Sequence, residues 1–117
     1  MPYFLFRYFY EIYATIVRYD SLTEFQIVRN HSMDIFLIRK IAFTWAEYAE
    51  KEYRMSCIYE EGAFEDLVHF KKSGVKGLLF LNNKKIEITV KLGLLLSPFS
   101  INIQNQIILK IDSLLLI

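Results

Sequence analysis

The chain is 117 residues long, 54% hydrophobic and 16% aromatic, with 14 basic and 13 acidic residues and a net charge of +1. That length suits one domain with a core of its own, and the balanced charge offers no field to gather a nucleic acid. The single cysteine, Cys57, excludes an intrachain disulfide framework and a cysteine-based metal cluster, and it fits a reducing cytoplasm.

Residues 1–21 form an extra apolar, aromatic N-terminal segment. Arg7, Glu11 and Arg18 interrupt its apolar run and fall on one narrow helical stripe. Three charges argue against a transmembrane helix, and the absence of a cleavage pattern argues against a secretory signal. The narrow, lysine-free polar face argues against membrane contact. The expectation is a segment that either packs on the domain or is not natively translated, the native chain then beginning at or near Leu22. The domain proper is expected over residues 22–117.

Alternation of Phe25, Ile27 and Arg29 against Glu24, Gln26 and Val28 predicts a strand over 23–29. A turn over 30–33 leads to a helix over 35–53, with Asp34 or Ser32 as N-cap. Its apolar face carries Ile38, Ile41, Ala42, Trp45, Ala49 and Tyr53. Strands follow over 55–60, 66–72, 75–81 and 84–92, separated by turns at Gly62, Ser73-Gly74 and Asn82-Asn83. The last of these strands alternates most cleanly, with Ile86, Ile88, Val90 and Leu92 opposite Lys85, Glu87, Thr89 and Lys91.

Gly93 is expected to end that strand in a special backbone angle. Residues 94–99 form an apolar connection, and Pro98 argues against a helix running through it. A second helical stripe follows, made by Ile103, Ile107, Ile108, Ile111, Leu114 and Leu115. The fold class is therefore α+β: an antiparallel sheet of four to five strands, two helices packed on one of its faces, and the extra aromatic segment in front.

No catalytic constellation is legible. His31 and His69 lack neighbouring metal ligands, a partnered base or a nucleophile. Cys57 has no adjacent histidine and is expected to be buried and inert. Gly74-Val75-Lys76-Gly77 lacks the spacing and the Lys-Ser/Thr end of a phosphate loop. Lys71, Lys72, Lys76, Lys84 and Lys85 read as protection of sheet edges. No catalytic residue, cofactor or metal is expected.

Three motifs nevertheless stand out: His31-Ser32-Met33 before the first helix, Phe70-Lys71-Lys72-Ser73-Gly74-Val75-Lys76-Gly77, and Leu92-Gly93-Leu94-Leu95-Leu96-Ser97-Pro98-Phe99. With residues 103–112 they resemble a small bacterial family, the polyhydroxyalkanoic acid system proteins, over residues 25–112. Residues 1–21 have no counterpart there, and Tyr59 stands where the family tends to have Trp. The resemblance marks His31, Ser32, Gly74, Gly77, Gly93, Pro98 and Phe99 as family positions of unassigned role. The family has no established reaction, and its link to the storage polymer is by gene neighbourhood. It implies a non-enzymatic, cytoplasmic accessory protein whose partners are the polyhydroxyalkanoate granule or granule-surface proteins. The alternative is a small ligand-binding or enzymatic domain for a hydroxyacyl substrate, with His31 or His69 as the polar group; the oligomeric state is left open.

Overall fold

The computed structural model describes residues 23–116; the expectations for residues 1–21 lie outside the described residues. The elements are β1 (Thr23–Asn30), α1 (Ile35–Tyr53), β2 (Ser56–Glu61), β3 (Glu65–Lys72), β4 (Val75–Asn82), β5 (Lys85–Leu92), a 3-10 turn (Ser97–Phe99) and α2 (Ser100–Leu115). The five strands form one antiparallel sheet in the order β1-β5-β4-β3-β2. The fold is α+β.

Strands β2 to β5 are a meander, and β1 joins it beside the last strand. The chain must therefore cross the whole sheet between β1 and β2. A 19-residue helix, about 28 Å long, is ample for four strand spacings, together about 19 Å. Helix α1 makes this crossing over β2, β3 and β4, and α2 packs beside it and against β1. Both helices cover the same face.

That face holds the core. Val68, Phe70, Leu79, Leu81, Ile86, Ile88, Val90 and Leu92 are buried against Ile38, Ala42, Trp45 and Ala49 of α1 and Ile111 of α2. Each such side chain contributes about 1.5–3 kcal/mol. The period of two in β5 is realised in full: its even-numbered residues are buried and its odd-numbered ones half-buried on the open face.

Helix α1 is capped by Asp34, whose Oδ1 accepts from the Leu37 N–H at 2.9 Å; Ser32 is exposed and is not the cap. The helix ends at Arg54, held in the left-handed region at φ 54°. One turn differs from the expected one. The β4–β5 loop is Asn83-Lys84, because the Asn82 side chain accepts from the Lys84 and Lys85 N–H groups and closes the turn one residue later. As expected, no α-helix runs through residues 94–99: Pro98 sits in the 3-10 turn that feeds α2, a first-turn position where its missing N–H costs nothing.

The lysines do not protect edges. Among the described residues the edges are β1 and β2, whereas Lys71, Lys72, Lys76 and Lys85 belong to the interior strands β3, β4 and β5.

Candidate functional site: an apolar groove at the glycine end of the sheet

The second and third motifs meet in space. Gly74 closes the β3–β4 turn at φ +84°, a conformation that side chains rarely adopt. Its carbonyl accepts from the Gly93 N–H at 2.9 Å. The Gly93 carbonyl in turn accepts from the Ser97 N–H at 3.0 Å and the Ser97 Oγ–H at 2.9 Å. These bonds fold the 93–97 connection back against the β3–β4 turn and set Leu96 over Gly74.

Gly93 itself needs no special angle. It does not have positive φ, and a Cβ there would meet Gly74 at 3.7 Å, an ordinary contact. The expectation for this residue is corrected: Gly93 is a backbone hub, not a strained position. Gly77 has the stricter requirement. It lies opposite Phe70 in the β3–β4 register, and the Phe70 ring lies so close that a methyl group would overlap it. Trp45 packs edge-on against that ring, with centroids 4.8 Å apart.

Beside this assembly runs a groove of about 1030 Å³ between the second half of α1, the glycine turns and α2. Trp45, Tyr53, Phe70, Leu96, Ile103 and Ile107 give it an apolar wall. Tyr53 donates to Gln106 Oε1 at 3.0 Å, and its hydroxyl, beside Tyr48 and partly buried, is pushed up to about 12, so it stays neutral. At its rim Lys72 is in phase with Phe70 and Lys110 lies on α2, whereas Lys71, Lys76 and Lys91 are out of phase with the buried Phe70, Leu79 and Val90 and turn to the open face; among the described residues no aspartate or glutamate lines the groove. Lys110 Nζ sits 4.2 Å from the centre of the Tyr48 ring, a cation–π distance.

His31 and Ser32 are not part of this groove. They lie beside the β4–β5 hairpin, at the other end of strands about 24 Å long. His31 accepts from the Met33 N–H through Nδ1 at 3.0 Å and donates from Nε2 to the Asn82 carbonyl at 2.9 Å. Both ring nitrogens are thus used in stapling the β1–α1 turn to the hairpin. His69 lies on the open face against Glu60 at 2.9 Å, and it too is absent from the groove lining. Pro98 and Phe99 are exposed beyond the groove's Leu94–Leu95–Leu96 wall. Cys57 is half-buried, and burial followed by the Glu50 charge pushes its thiol up, away from nucleophilic use.

The most conspicuous polar cluster was not legible. Asp66 is 1% exposed and faces the core in phase with Val68 and Phe70. Arg39 donates to both of its oxygens, Nε at 2.8 Å and Nη2 at 3.1 Å. The Gly62 N–H adds a third bond at 3.1 Å and the Tyr59 hydroxyl a fourth. A carboxylate has about four lone-pair sites, so none is left to take a substrate proton. Burial pushes the Asp66 carboxyl up, but the bonds from Arg39, Tyr59 and Gly62 outweigh it and hold the group below its ordinary range. The signal in the sequence was the phase: Asp66 and Tyr59 both occupy inward positions of their strands.

Fold and groove together define a small α+β protein with an apolar cleft and no assembled catalytic group among the described residues. Among those residues no cluster of His, Cys, Asp and Glu could hold a metal, and no helix is long and apolar enough to cross a membrane. The family described as "Putative polyhydroxyalkanoic acid system protein" matches residues 25–115, and the chain belongs to it. No curated protein and no solved structure matches.

Proposed function

We propose that this protein is a non-enzymatic accessory of polyhydroxyalkanoate storage, working in the cytoplasm at the granule or with granule-surface proteins. The functional unit is the α+β domain of residues 22–117, with residues 1–21 outside it. The observation that carries the reading, beside membership of the family, is the apolar collar on the β5–α2 connection. Leu95 is 77% exposed, and Leu94, Phe99 and Ile101 beside it are exposed as well. An apolar patch of this kind marks an interaction site, and a granule presents an apolar polymer to which binding grows by about 25 cal/mol per Å² buried. The saturated Asp66, the stapled His31 and the raised Cys57 thiol support a role without chemistry. Co-sedimentation of the full chain with isolated granules tests it. Wild type is expected to pellet with granules, and Leu95→Asp/Phe99→Asp to remain in the supernatant while keeping its melting temperature. Equal pelleting of the two, or none by wild type, rejects the reading.

A further inference from the structure

We infer that the open face of the sheet, opposite the helices, is the interface of a two-fold dimer of this chain. Both helices pack on the other face, and among the described residues no element covers this one. Its middle is apolar. Leu67 stands directly opposite Phe80, and Leu78, two residues before Phe80 on β4, points the same way. Ile58 on β2, diagonal to Leu67, is 62% exposed. An apolar patch ringed by charge marks a contact surface. Five strands span about 24 Å across and about 24 Å along. Two such faces together offer about 1,100 Å², against the roughly 1,000 Å² that a specific interface needs.

The charges on this face select a second copy as the occupant. Lys71, Lys76 and Lys91 form one row at the glycine end, whereas Glu60, Glu65 and Glu87 lie toward the β4–β5 hairpin. A face basic at one end and acidic at the other is complementary to itself when one copy is reversed. A two-fold axis along the strands would set Lys76 over its own counterpart and Lys71 over Lys91 of the second copy, and like charges so placed repel. An axis across the strands sets each strand over its counterpart in the opposite sense. Val68, Leu79 and Ile88 share one row of the register, and an axis through that row lays Leu78 over Phe80 and Lys71 over Glu65. Neither Lys71 nor Glu65 makes an ion pair among the described residues, so each is available to the second copy. Lys91 then meets Lys85, but each brings its own carboxylate: Lys91 stands opposite Glu24, and Lys85 bonds Glu87 at 3.2 Å. Sheets packed face to face lie about 10 Å apart with strands within about 30°, and such an isologous contact closes at two copies. The inference rests on the open face alone and not on the granule reading, so the two fail separately.

The test is sedimentation equilibrium of the full chain at micromolar concentrations. Wild type is expected at twice the chain mass of 13.9 kDa and to dissociate on dilution, and Phe80→Glu to stay monomeric over the same range. Lys71→Glu and Glu65→Lys are each expected to weaken the dimer about tenfold, since the two-fold axis repeats every lost contact. The double variant Lys71→Glu/Glu65→Lys is expected to return close to the wild-type dissociation constant. The two positions lie on one strand, about 20 Å apart, so such a rescue cannot arise within a single chain. Circular dichroism confirms that each variant is folded, and the charge swap decides the matter if Phe80→Glu does not fold. A monomeric wild type, a dimer that a folded Phe80→Glu leaves intact, or a double variant as weak as the single ones overturns the assignment. So does a chain starting at Leu22 that dimerises where the full chain stays monomeric, which would give this face to residues 1–21.

Discussion

At the scale of single residues, the glycines separate into different kinds of constraint. Gly77 is small because the Phe70 ring occupies the space where a side chain would sit. Gly77→Ala is expected to cost about 1–3 kcal/mol, as overpacking does. Gly74→Ala is expected to cost about 1–2 kcal/mol through its left-handed backbone. Gly93→Ala, with ordinary φ and open contacts, is expected to stay within about 0.5 kcal/mol. Urea denaturation of the three variants gives the order directly, and a Gly93 variant as damaged as the Gly77 one would contradict it. Asp66 makes a second residue-scale prediction. Its folded-state carboxyl is held below the ordinary range, so its contribution to stability is complete above about pH 4 and is lost as pH falls through the lowered folded value. Asp66→Asn should flatten this acid limb in melting curves recorded across pH. Asp66→Ala at neutral pH should cost about 3 kcal/mol, since it strands Arg39 and Tyr59. A variant with wild-type stability and an unchanged acid limb would show that the cluster is idle.

At the scale of elements, the period of two in β5 makes neighbouring substitutions diverge. Ile88 lies between Ile27 and Leu79 in the register and is fully buried. Ile88→Asp should unfold or aggregate the protein, because an unpaired carboxylate in the core is not tolerated. Thr89 faces the open side and accepts only a 3.3 Å bond from Gln26, so Thr89→Asp should change stability by less than about 1 kcal/mol. Comparable losses in soluble yield and melting temperature would mean that the faces are reversed. This alternation is also why the strands and α1 were legible: apolar spacing alone places Ile86, Ile88, Val90 and Leu92, or Ile38, Ala42 and Trp45, on buried faces. What was not legible depended on pairings distant in the chain. The lysines read as edge residues until the order β1-β5-β4-β3-β2 put their strands inside the sheet. The two glycine motifs carried no sign that Gly93 would bond to Gly74 across the sheet end, and so the groove they border was hidden. Asp66 reads as the first residue of a strand, and only its phase with Val68, weighed against the usual cost of burying a charge, would have placed it inside.

At the scale of the whole molecule, the described pairing, the described core and the family match all begin after the first 21 residues. Pairing begins with Thr23 opposite Leu92, the buried apolar residues begin at Ile27, and the family match begins at residue 25. A chain starting at Leu22 therefore retains both helices, all five strands and the hydrogen bonds of the glycine turns. It is expected to fold cooperatively, with a melting temperature close to that of the full chain and higher solubility, since it sheds an aromatic stretch with little polar face. If residues 1–21 instead covered part of the domain, their removal would expose that surface. Each large side chain so uncovered would then cost about 1.5–3 kcal/mol, and the loss would amount to several kcal/mol. Differential scanning calorimetry of the two chains separates these cases, and the intact mass of the protein from its own host locates the native N-terminus. A full-length native mass together with a shortened chain that fails to fold would make the first segment part of the core and overturn the prediction.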